Sequence, residues 1–266
     1  MAETPDIRMI GADFDGTLWG GAEGLPSGLR RLLVALREGG VEAGLVSGRY
    51  WWEMRDLLAG AGLEWGDPFP SFVITRETFI YWIGLDAMEP DQDWNEARGA
   101  ELAELTAWLC RRETEWRLRL ESAGLRPKRW WLWGDYGLEV WFETVEETAA
   151  AQALLVSWCA AQPLAHAHRN RCLAHVVLAT AGKGACLERA AATRGVAPQQ
   201  VLALGDSLND LTMLDGGCGF HAAAPSNAEP EVQTAVRAAG GWVAESAAGD
   251  GVAEVLLNAR ARGWFR

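Results

Sequence analysis

Two acids lie one residue apart, directly after a short apolar run near the N-terminus. The run, residues 7–12, has the character of a buried strand, and Asp13 and Asp15 follow it, before Gly16 and Thr17. The glycine marks the point where the strand ends. Two carboxylates beside backbone amides freed by a turn suit a hard divalent cation and a phosphate group. An ordinary strand-to-turn junction has a similar composition, so this stretch alone leaves both interpretations open.

Further polar side chains follow apolar runs later in the chain. Ser47 follows a predicted strand, Lys183 precedes a predicted helix, and Asp206 and Asp210 flank the turn after another strand. Ligands of open parallel sheets bind at the carboxyl ends of the strands, so these groups could meet there. Acids, a hydroxyl and an ammonium together suit phosphoryl chemistry on a magnesium ion. Taken singly, each could be an ordinary turn or helix-start residue, since the helix dipole favours acids there.

The order of predicted elements indicates an α/β fold made of two parts. Alternating strands and helices favour a Rossmann-like parallel sheet with right-handed crossovers and helices on both faces. The predicted strands lie at 7–12, 41–46, 72–74 and 201–204, and helices at 27–37, with Ser27 as N-cap, 51–58 and 184–194. Between the strand at 72–74 and the helix at 184–194 the alternation of strands and helices stops. That segment is predicted to contain a long helix at 98–120, a hairpin at 129–142, a helix at 145–161 and a strand pair at 165–178. We therefore expect a core of residues 1–82 and 179–266 and an inserted α+β cap domain of residues 83–178.

Composition narrows the classes of partner. The 266-residue chain is 49% hydrophobic and carries a formal net charge of -12, which disfavours nucleic acid and anionic membrane surfaces as partners. No run is long and apolar enough to span a membrane, and residues 1–6 are acidic, unlike a secretory signal. Five scattered cysteines without a CxxC pair favour reduced thiols and a cytoplasmic location. The sequence leaves a monomer and a homodimer equally open.

The chain has fifteen tryptophans, an unusual number. We expect most of them to pack in the core. One region of the insertion is crowded with Trp130, Trp131, Trp133 and Trp141. We favour packing of these side chains inside the cap domain over stacking on a ligand.

Four segments, in order, resemble the motifs of haloacid-dehalogenase-like (HAD) phosphatases. These are Asp13–Thr17, Ser47–Arg49, Gly182–Gly184 and Gly205–Asp210. The insertion between the second and third segments resembles the α/β cap of subfamily IIB, the sub-branch of sucrose-phosphatase-like and Cof-like proteins. Residues 93–95, 126–128 and 225–228 are also similar to that sub-branch.

The resemblance implies a role for each core residue. Asp13 would be the nucleophile that forms an aspartyl-phosphate, and Asp15 would be the general acid and base. Ser47 would hydrogen-bond the phosphate, and Lys183 would pair with both the phosphate and Asp13.

The resemblance also implies a metal and a substrate surface. Mg²⁺ would bind Asp13, the backbone carbonyl of Asp15, Asp206, and Asp210 directly or through water, an oxygen-only set that suits magnesium. The residues expected to bind the substrate are Gly16, Thr17, Gly48, Arg49, Asn209, Arg76 and Lys128.

The chain departs from the sub-branch near the third strand and in the cap. Related sugar phosphatases carry Gly-Thr-Glu where this chain has Glu77-Thr78-Phe79, and sucrose phosphatase has aspartates where this chain has Leu173 and His175. These differences argue against sucrose 6-phosphate itself as the substrate. Candidates to meet a sugar, each with a plain surface role as an alternative, are Arg76, Glu77, Lys128, Arg129, Tyr136 and His168.

The sequence thus predicts a magnesium-dependent phosphomonoester hydrolase acting on a sugar phosphate or similar small phosphorylated metabolite. Two alternatives stay open: a phosphosugar mutase of the same fold, and a catalytically silent binding or regulatory protein on this scaffold. A dinucleotide-binding protein is disfavoured because no G-x-G-x-x-G follows the first strand.

Overall fold

The structure, a computed structural model, describes residues 4–21, 24–66, 69–84 and 87–265. The strands are β1 Met9–Ala12, β2 Glu42–Val46, β3 Phe72–Thr75, β4 Phe79–Ile83, β5 Met88–Pro90, β6 Arg129–Trp133, β7 Gly137–Trp141, β8 Ala165–Asn170, β9 Leu173–Leu178, β10 Val201–Leu204, β11 His221–Ala224 and β12 Trp242–Val243. The helices are α1 Ser27–Glu38, α2 Trp51–Gly60, α3 Gln92–Cys110, α4 Glu113–Ser122, α5 Val145–Cys159, α6 Lys183–Thr193, α7 Leu211–Leu214, α8 Pro230–Ala238 and α9 Ala248–Ala261. No helix within these ranges is long and apolar enough to cross a membrane.

The chain divides into two compact units. One comprises Met1–Asp91 and Lys183–Arg266, and the other is the insertion Gln92–Gly182. The sequence places the first boundary after residue 82, inside β4. The structure places it after Asp91, because the chain runs through β4 and β5 at the edge of the core sheet before it enters the insertion.

The core unit contains one sheet with the strand order β12-β11-β10-β1-β2-β3-β4-β5. Pairing is parallel from β12 to β3, and β4 and β5 add to the edge in antiparallel fashion. Every residue of β1, β3 and β10 is buried, as expected for strands covered on both faces. The expected α/β class with helices on both faces is confirmed, and β1 lies at the middle of the sheet. The turns after β1, β2 and β10 therefore lie side by side at one sheet edge.

Two sequence expectations about local structure were wrong, and one pair of strands was missed. The antiparallel strands β4 and β5 were not foreseen, since their apolar runs are short and interrupted. Ser27 does not cap α1; it is the first helical residue, after Pro26. The long helix at 98–120 is two helices, α3 and α4, separated by a turn at Arg111 and Arg112. No glycine or proline lies at that break, and both helices keep their apolar residues on the buried side, so the sequence does not indicate it.

The insertion contains a four-stranded antiparallel sheet with the order β6-β7-β9-β8. Helices α3 and α5 pack against this sheet. Thr144 caps α5: its hydroxyl accepts a hydrogen bond from the N–H of Glu147, whose carboxylate accepts one from the N–H of Thr144. This reciprocal pair is a capping box, which fixes where the helix begins.

One row of opposed residues crosses the sheet of the insertion. Trp131 lies opposite Glu139, Glu139 opposite His175, and His175 opposite His168, so all four share one face. Glu139 and His175 are buried, whereas Trp131 is 40% exposed. The nearby Trp133 indole donates a hydrogen bond of 2.9 Å to Glu139. This face therefore combines indoles, imidazoles and a carboxylate.

Few tryptophans are enclosed in the core, although several half-buried ones pack against it. Trp108 and Trp116 are buried in the insertion, but Trp52, Trp131 and Trp141 are among the most exposed large apolar side chains. Most of the others are half-buried. An indole is large and carries a polar N–H, so it is seldom fully enclosed.

Close packing at the centre of the core sheet can be tested at Gly44 in β2. A Cβ atom there would lie 2.5 Å from ring atoms of the buried Phe72. We expect Gly44→Ala to lower the free energy of unfolding by about 1–3 kcal/mol, because the core must shift to admit the methyl group. The measurement is urea denaturation followed by circular dichroism.

Gly28 in α1 provides the matched control, since a Cβ there meets nothing within 4 Å. Gly28→Ala should leave the stability unchanged or raise it by up to about 1 kcal/mol. Equal effects of the two substitutions would contradict the packing argument.

Candidate active site

Three buried carboxylates meet at the carboxyl ends of the central strands. Asp13 follows β1, Asp206 follows β10, and Asp210 lies four residues further on in a short 3-10 turn. One oxygen from each lies within 4.8 Å of the others. Their exposed fractions are 6%, 1% and 0%. Asp13 thus forms one compact acidic cluster with two residues that lie more than 190 positions further along the chain.

Lys183, the first residue of α6, brings a positive charge into this cluster. Its Nζ lies 2.6 Å from Oδ1 of Asp13 and 2.5 Å from Oδ1 of Asp210. The side chain is 1% exposed, so solvent does little to screen these pairs. Three carboxylates against one ammonium leave an excess of negative charge, and a divalent cation bound by oxygen ligands would balance it.

Burial and neighbouring charges shift the pKa values of the central pair. Burial raises the pKa of Asp13 well above its ordinary value; the Lys183 ammonium opposes this rise, and the carboxylates of Asp210 and Asp206 add to it. Burial alone would lower the pKa of Lys183, but the carboxylates of Asp13, Asp210 and Glu77 outweigh that effect and raise it. Lys183 is therefore charged at neutral pH, and it is the group that opposes protonation of Asp13.

Asp210 organises the loop that carries Asp206. While Oδ1 of Asp210 faces Lys183, Oδ2 accepts hydrogen bonds from the backbone N–H groups of Asp206, at 2.8 Å, and Ser207, at 2.9 Å. A Cβ on Gly205 would lie 2.6 Å from the Cβ of Asp210, so only glycine fits there. Both oxygens of Asp210 are thus engaged by groups of the protein.

Gly16, Thr17 and Asn227 surround Asp206. The Thr17 hydroxyl donates to Oδ1 of Asp206 at 3.2 Å, and the Asn227 amide donates to the carbonyl of Gly16 at 2.8 Å. Gly16 has φ +78, and a Cβ there would lie 2.5 Å from Oδ2 of Asp206. Gly16 and Thr17, expected to bind the substrate, thus hold a carboxylate in place. The resemblance at residues 225–228 indicates no role for Asn227.

Asp15 forms a bidentate ion pair with Arg49. Nε and Nη2 of Arg49 lie 2.5 Å and 2.8 Å from the two carboxylate oxygens. The hydrogen bonds that Arg49 donates to the Asp15 carboxylate raise the pKa of Arg49, and partial burial opposes this rise. The expected general acid and the expected phosphate ligand therefore bind each other in this structure.

Ser47 and Gly48 form a turn that a hydrogen bond from Arg76 supports. The buried Ser47 hydroxyl accepts a hydrogen bond from the N–H of Arg49 at 3.1 Å. Nη1 of Arg76 donates to the carbonyl of Gly48 at 3.1 Å, and the guanidinium lies 4.5 Å from the ring centroid of Tyr50. Arg76 is 7% exposed. It thus supports the turn from within the core rather than offering an exposed cation to a substrate.

The turn between β3 and β4 has unusual backbone geometry. Its two central residues, Arg76 and Glu77, have φ values of +53 and +50, and the N–H of Thr78 bonds the carbonyl of Thr75. Glycine or asparagine normally occupies such positions, because side chains on Cβ clash there. Each residue with such a φ value costs of order 1–3 kcal/mol of conformational free energy. The surrounding structure therefore has to hold the turn in this form.

Asn209, also expected at the substrate, donates its amide Nδ2 to Oε1 of Glu77 at 2.8 Å. Glu77 itself is 3% exposed. Sequence reasoning placed Glu77 only among the candidates to meet a sugar; its φ value is the signal that sequence alone could not give.

The remaining predicted substrate residues lie in the insertion. Lys128 forms an exposed ion pair with Glu143. Tyr136 is buried and packs edge-to-face on His175, with ring centroids 5.5 Å apart, and His168 stacks on His175 at 4.9 Å. Each of these contacts lies within the insertion.

Comparisons with known proteins agree with this architecture. Residues 166–256 match the family model of haloacid dehalogenase-like hydrolases. The sucrose-phosphatase of Synechocystis sp. PCC6803, solved with sucrose and phosphate, aligns over 96% of this chain and 98% of its own, with a TM-score of 0.69 and 17% identity. The whole chain therefore shares its fold with this sucrose-phosphatase, and residues 166–256 are similar to the haloacid dehalogenase-like hydrolases. A haloacid dehalogenase-like hydrolase from Bacteroides thetaiotaomicron aligns over 95% and 99% of the two chains, with a TM-score of 0.61 and 17% identity.

One relative is more similar in sequence over a shorter stretch. The phosphoglycolate phosphatase of Methanothrix thermoacetophila is 38% identical over 81 residues. The match spans 30% of this chain and about a third, 34%, of that relative. A subclass IIB sugar phosphatase also shares the fold, with a TM-score of 0.61 and 15% identity over 94% and 98% of the two chains.

The charge balance of the cluster predicts a large effect of Lys183→Met. Removal of the ammonium leaves Asp13 and Asp210 buried without a cation, and we expect a loss of about 3–5 kcal/mol in the free energy of unfolding at pH 7. Without the lysine the pKa of Asp13 rises further, so the folded state binds a proton that the unfolded state has released. The variant should therefore regain stability as the pH falls from 7 toward about 4.

Lys128→Met is the control, because the exposed ion pair of Lys128 with Glu143 contributes less than about 1 kcal/mol to the free energy of unfolding. Chemical denaturation across pH measures both variants. Similar losses at the two lysines would contradict the argument.

Proposed function

We propose that the protein is a magnesium-dependent phosphomonoester hydrolase that works through an aspartyl-phosphate. The observation that carries this proposal is the buried cluster of Asp13, Asp206 and Asp210 around Lys183. Such a cluster handles a dianionic phosphate only if its own negative charge is balanced, which a lysine and a divalent cation together achieve.

The first proposed step transfers the phosphoryl group to Asp13. A carboxylate oxygen of Asp13 attacks phosphorus, the bond from phosphorus to the ester oxygen breaks, and Asp15 gives its proton to the leaving alkoxide. Arg49 must release Asp15 for this, since it holds both carboxylate oxygens. Ser47 donates its hydroxyl to a phosphate oxygen, and Lys183 balances charge on Asp13.

The second proposed step releases phosphate. Asp15, now ionised, takes a proton from water, and the water oxygen attacks phosphorus while the bond to the Asp13 oxygen breaks. The products are inorganic phosphate and the original Asp13 carboxylate, so atoms and charge balance over the two steps.

Magnesium would be held by Asp13, Asp206 and the backbone carbonyl of Asp15, with Asp210 bound through water. The donors are all oxygens, as this ion prefers. When bound, the ion supplies charge neutralisation of the phosphate oxygens. The chain's own contribution is to orient the carboxylates through the Asp206–Asp210 loop and to oppose protonation of Asp13 through Lys183.

The proposed substrate is a sugar phosphate or a similar small phosphorylated metabolite. The sucrose-phosphatase with the same fold supports this class, and so does the face of the insertion that carries Trp131, Glu139, His175 and His168. Indoles pack on sugar C–H groups, and imidazole and carboxylate groups hydrogen-bond hydroxyls. Within the proposal the enzyme is cytoplasmic, in keeping with five cysteines that form no disulfide.

Nucleophilic catalysis predicts that Asp13→Asn reduces phosphate release by more than about a thousandfold while the fold persists, because an amide cannot attack phosphorus. The measurement is inorganic phosphate released from p-nitrophenyl phosphate and from a panel of phosphorylated sugars. Asp56→Asn, at an exposed acid in α2, is the control and should retain full activity. Isomer formation without free phosphate would indicate the mutase, and inactivity of the wild type on every ester would indicate a silent scaffold.

Metal binding at Asp206 predicts a thermal stabilisation by Mg²⁺. A ligand at a hundred times its Kd stabilises the folded state by about 2.7 kcal/mol, which differential scanning fluorimetry detects as a rise in Tm. Asp206→Asn should abolish this rise, EDTA should remove activity, and added Mg²⁺ should restore it. The same rise in Asp206→Asn as in the wild type and in Asp56→Asn would place the metal elsewhere.

A further inference from the structure

The β3–β4 turn connects three segments of the active site. The N–H of Glu77 donates to the carbonyl of Ser47 at 3.0 Å, and the N–H of Arg76 donates to the carbonyl of Arg49 at 3.2 Å. The thiol of Cys186, on the helix that begins with Lys183, lies 3.4 Å from the carbonyl oxygen of Glu77. A turn so well connected can hold residues in a backbone region that they otherwise avoid.

The side chain of Glu77 reaches the fourth motif. Its Oε1 accepts the hydrogen bond from Nδ2 of Asn209, at 2.8 Å, and the carboxylate is buried. Asn209 lies between Asp206 and Asp210, one residue from the latter. Its Oδ1 is buried and has no hydrogen-bond partner among the described residues.

The Glu77 carboxylate restricts the amide of Asn209 to one orientation. If the amide flipped, Oδ1 would face a carboxylate oxygen, and two acceptors would meet in a buried place. The bond therefore fixes the nitrogen toward Glu77, which leaves its second N–H and Oδ1 with defined directions. A glycine at position 77 would relieve the backbone strain, but it would leave the orientation of the Asn209 amide unfixed.

We infer that Glu77 is a positioning residue of the proposed phosphatase, which holds the Asn209 amide for the phosphate group and keeps a strained backbone to do so. This inference rests on the proposed function. It separates Glu77 from residues that recognise the leaving group, because its effect passes through the motif that carries Asp206 and Asp210.

The test compares three substitutions at Glu77. Glu77→Gly and Glu77→Asn suit a positive φ but cannot reach Asn209, whereas Glu77→Gln keeps the length and an acceptor oxygen. We expect the first two to have a Tm no lower than the wild type and a kcat/KM lowered roughly 10- to 100-fold. Glu77→Gln should stay within about threefold of the wild type, since one neutral hydrogen bond replaces a charge-assisted one.

Substrate choice separates positioning of phosphate from recognition of a sugar. Under our inference the losses are equal for p-nitrophenyl phosphate and for a sugar phosphate, because both present the same phosphate. A loss confined to the sugar phosphate would overturn the inference by making Glu77 a contact to the leaving group. Unchanged kinetics in Glu77→Gly and Glu77→Asn would also overturn it, by reducing Glu77 to a turn residue.

A double-mutant cycle tests the route through Asn209. In an Asn209→Ala background, Glu77→Gly should cause no further loss, whereas independent effects would multiply. If the wild type releases no phosphate, the proposed function fails, and the side-chain amide resonances of Asn209 decide the inference instead. They should shift in Glu77→Gly and little in Glu77→Gln; no shift in either variant would show that Glu77 does not hold the amide.

Discussion

The ion pairs of Lys183 with Asp13 and Asp210 are the interaction on which the site depends. Each carboxylate is buried, and their mutual repulsion would separate them or draw in protons if no cation stood between them. The lysine is the first residue of a helix, where the dipole disfavours positive charge, so the acids and the helix start stabilise each other's placement. The cluster exists because strand ends from distant parts of the chain deliver opposite charges to one point.

The convergence of the central acids and the lysine could be predicted from the sequence. Apolar runs followed by Asp13, Ser47 and Asp206 indicated strand ends, and parallel sheets bring such ends to one edge. The structure brings Asp13, Asp206, Asp210 and Lys183 together there.

Other parts could not be read from the sequence, for identifiable reasons. The positive φ values of Arg76 and Glu77 contradict local propensity, and tertiary hydrogen bonds override it. The pairing of Asp15 with Arg49 depends on side-chain placement across 34 residues. The break between α3 and α4 leaves no compositional trace, because both helices continue the same apolar pattern.

Asp91, the last residue of the core unit before the insertion, forms a bidentate ion pair with Arg189 on α6, at 2.9 Å and 2.8 Å. Lys183, the first core residue after the insertion, begins that same helix. Both attachment points are therefore anchored on a single element of the core. Evolution could exchange or enlarge the intervening module while preserving one short helix and one acid. The core unit and the insertion could thus diverge at separate rates along a single gene.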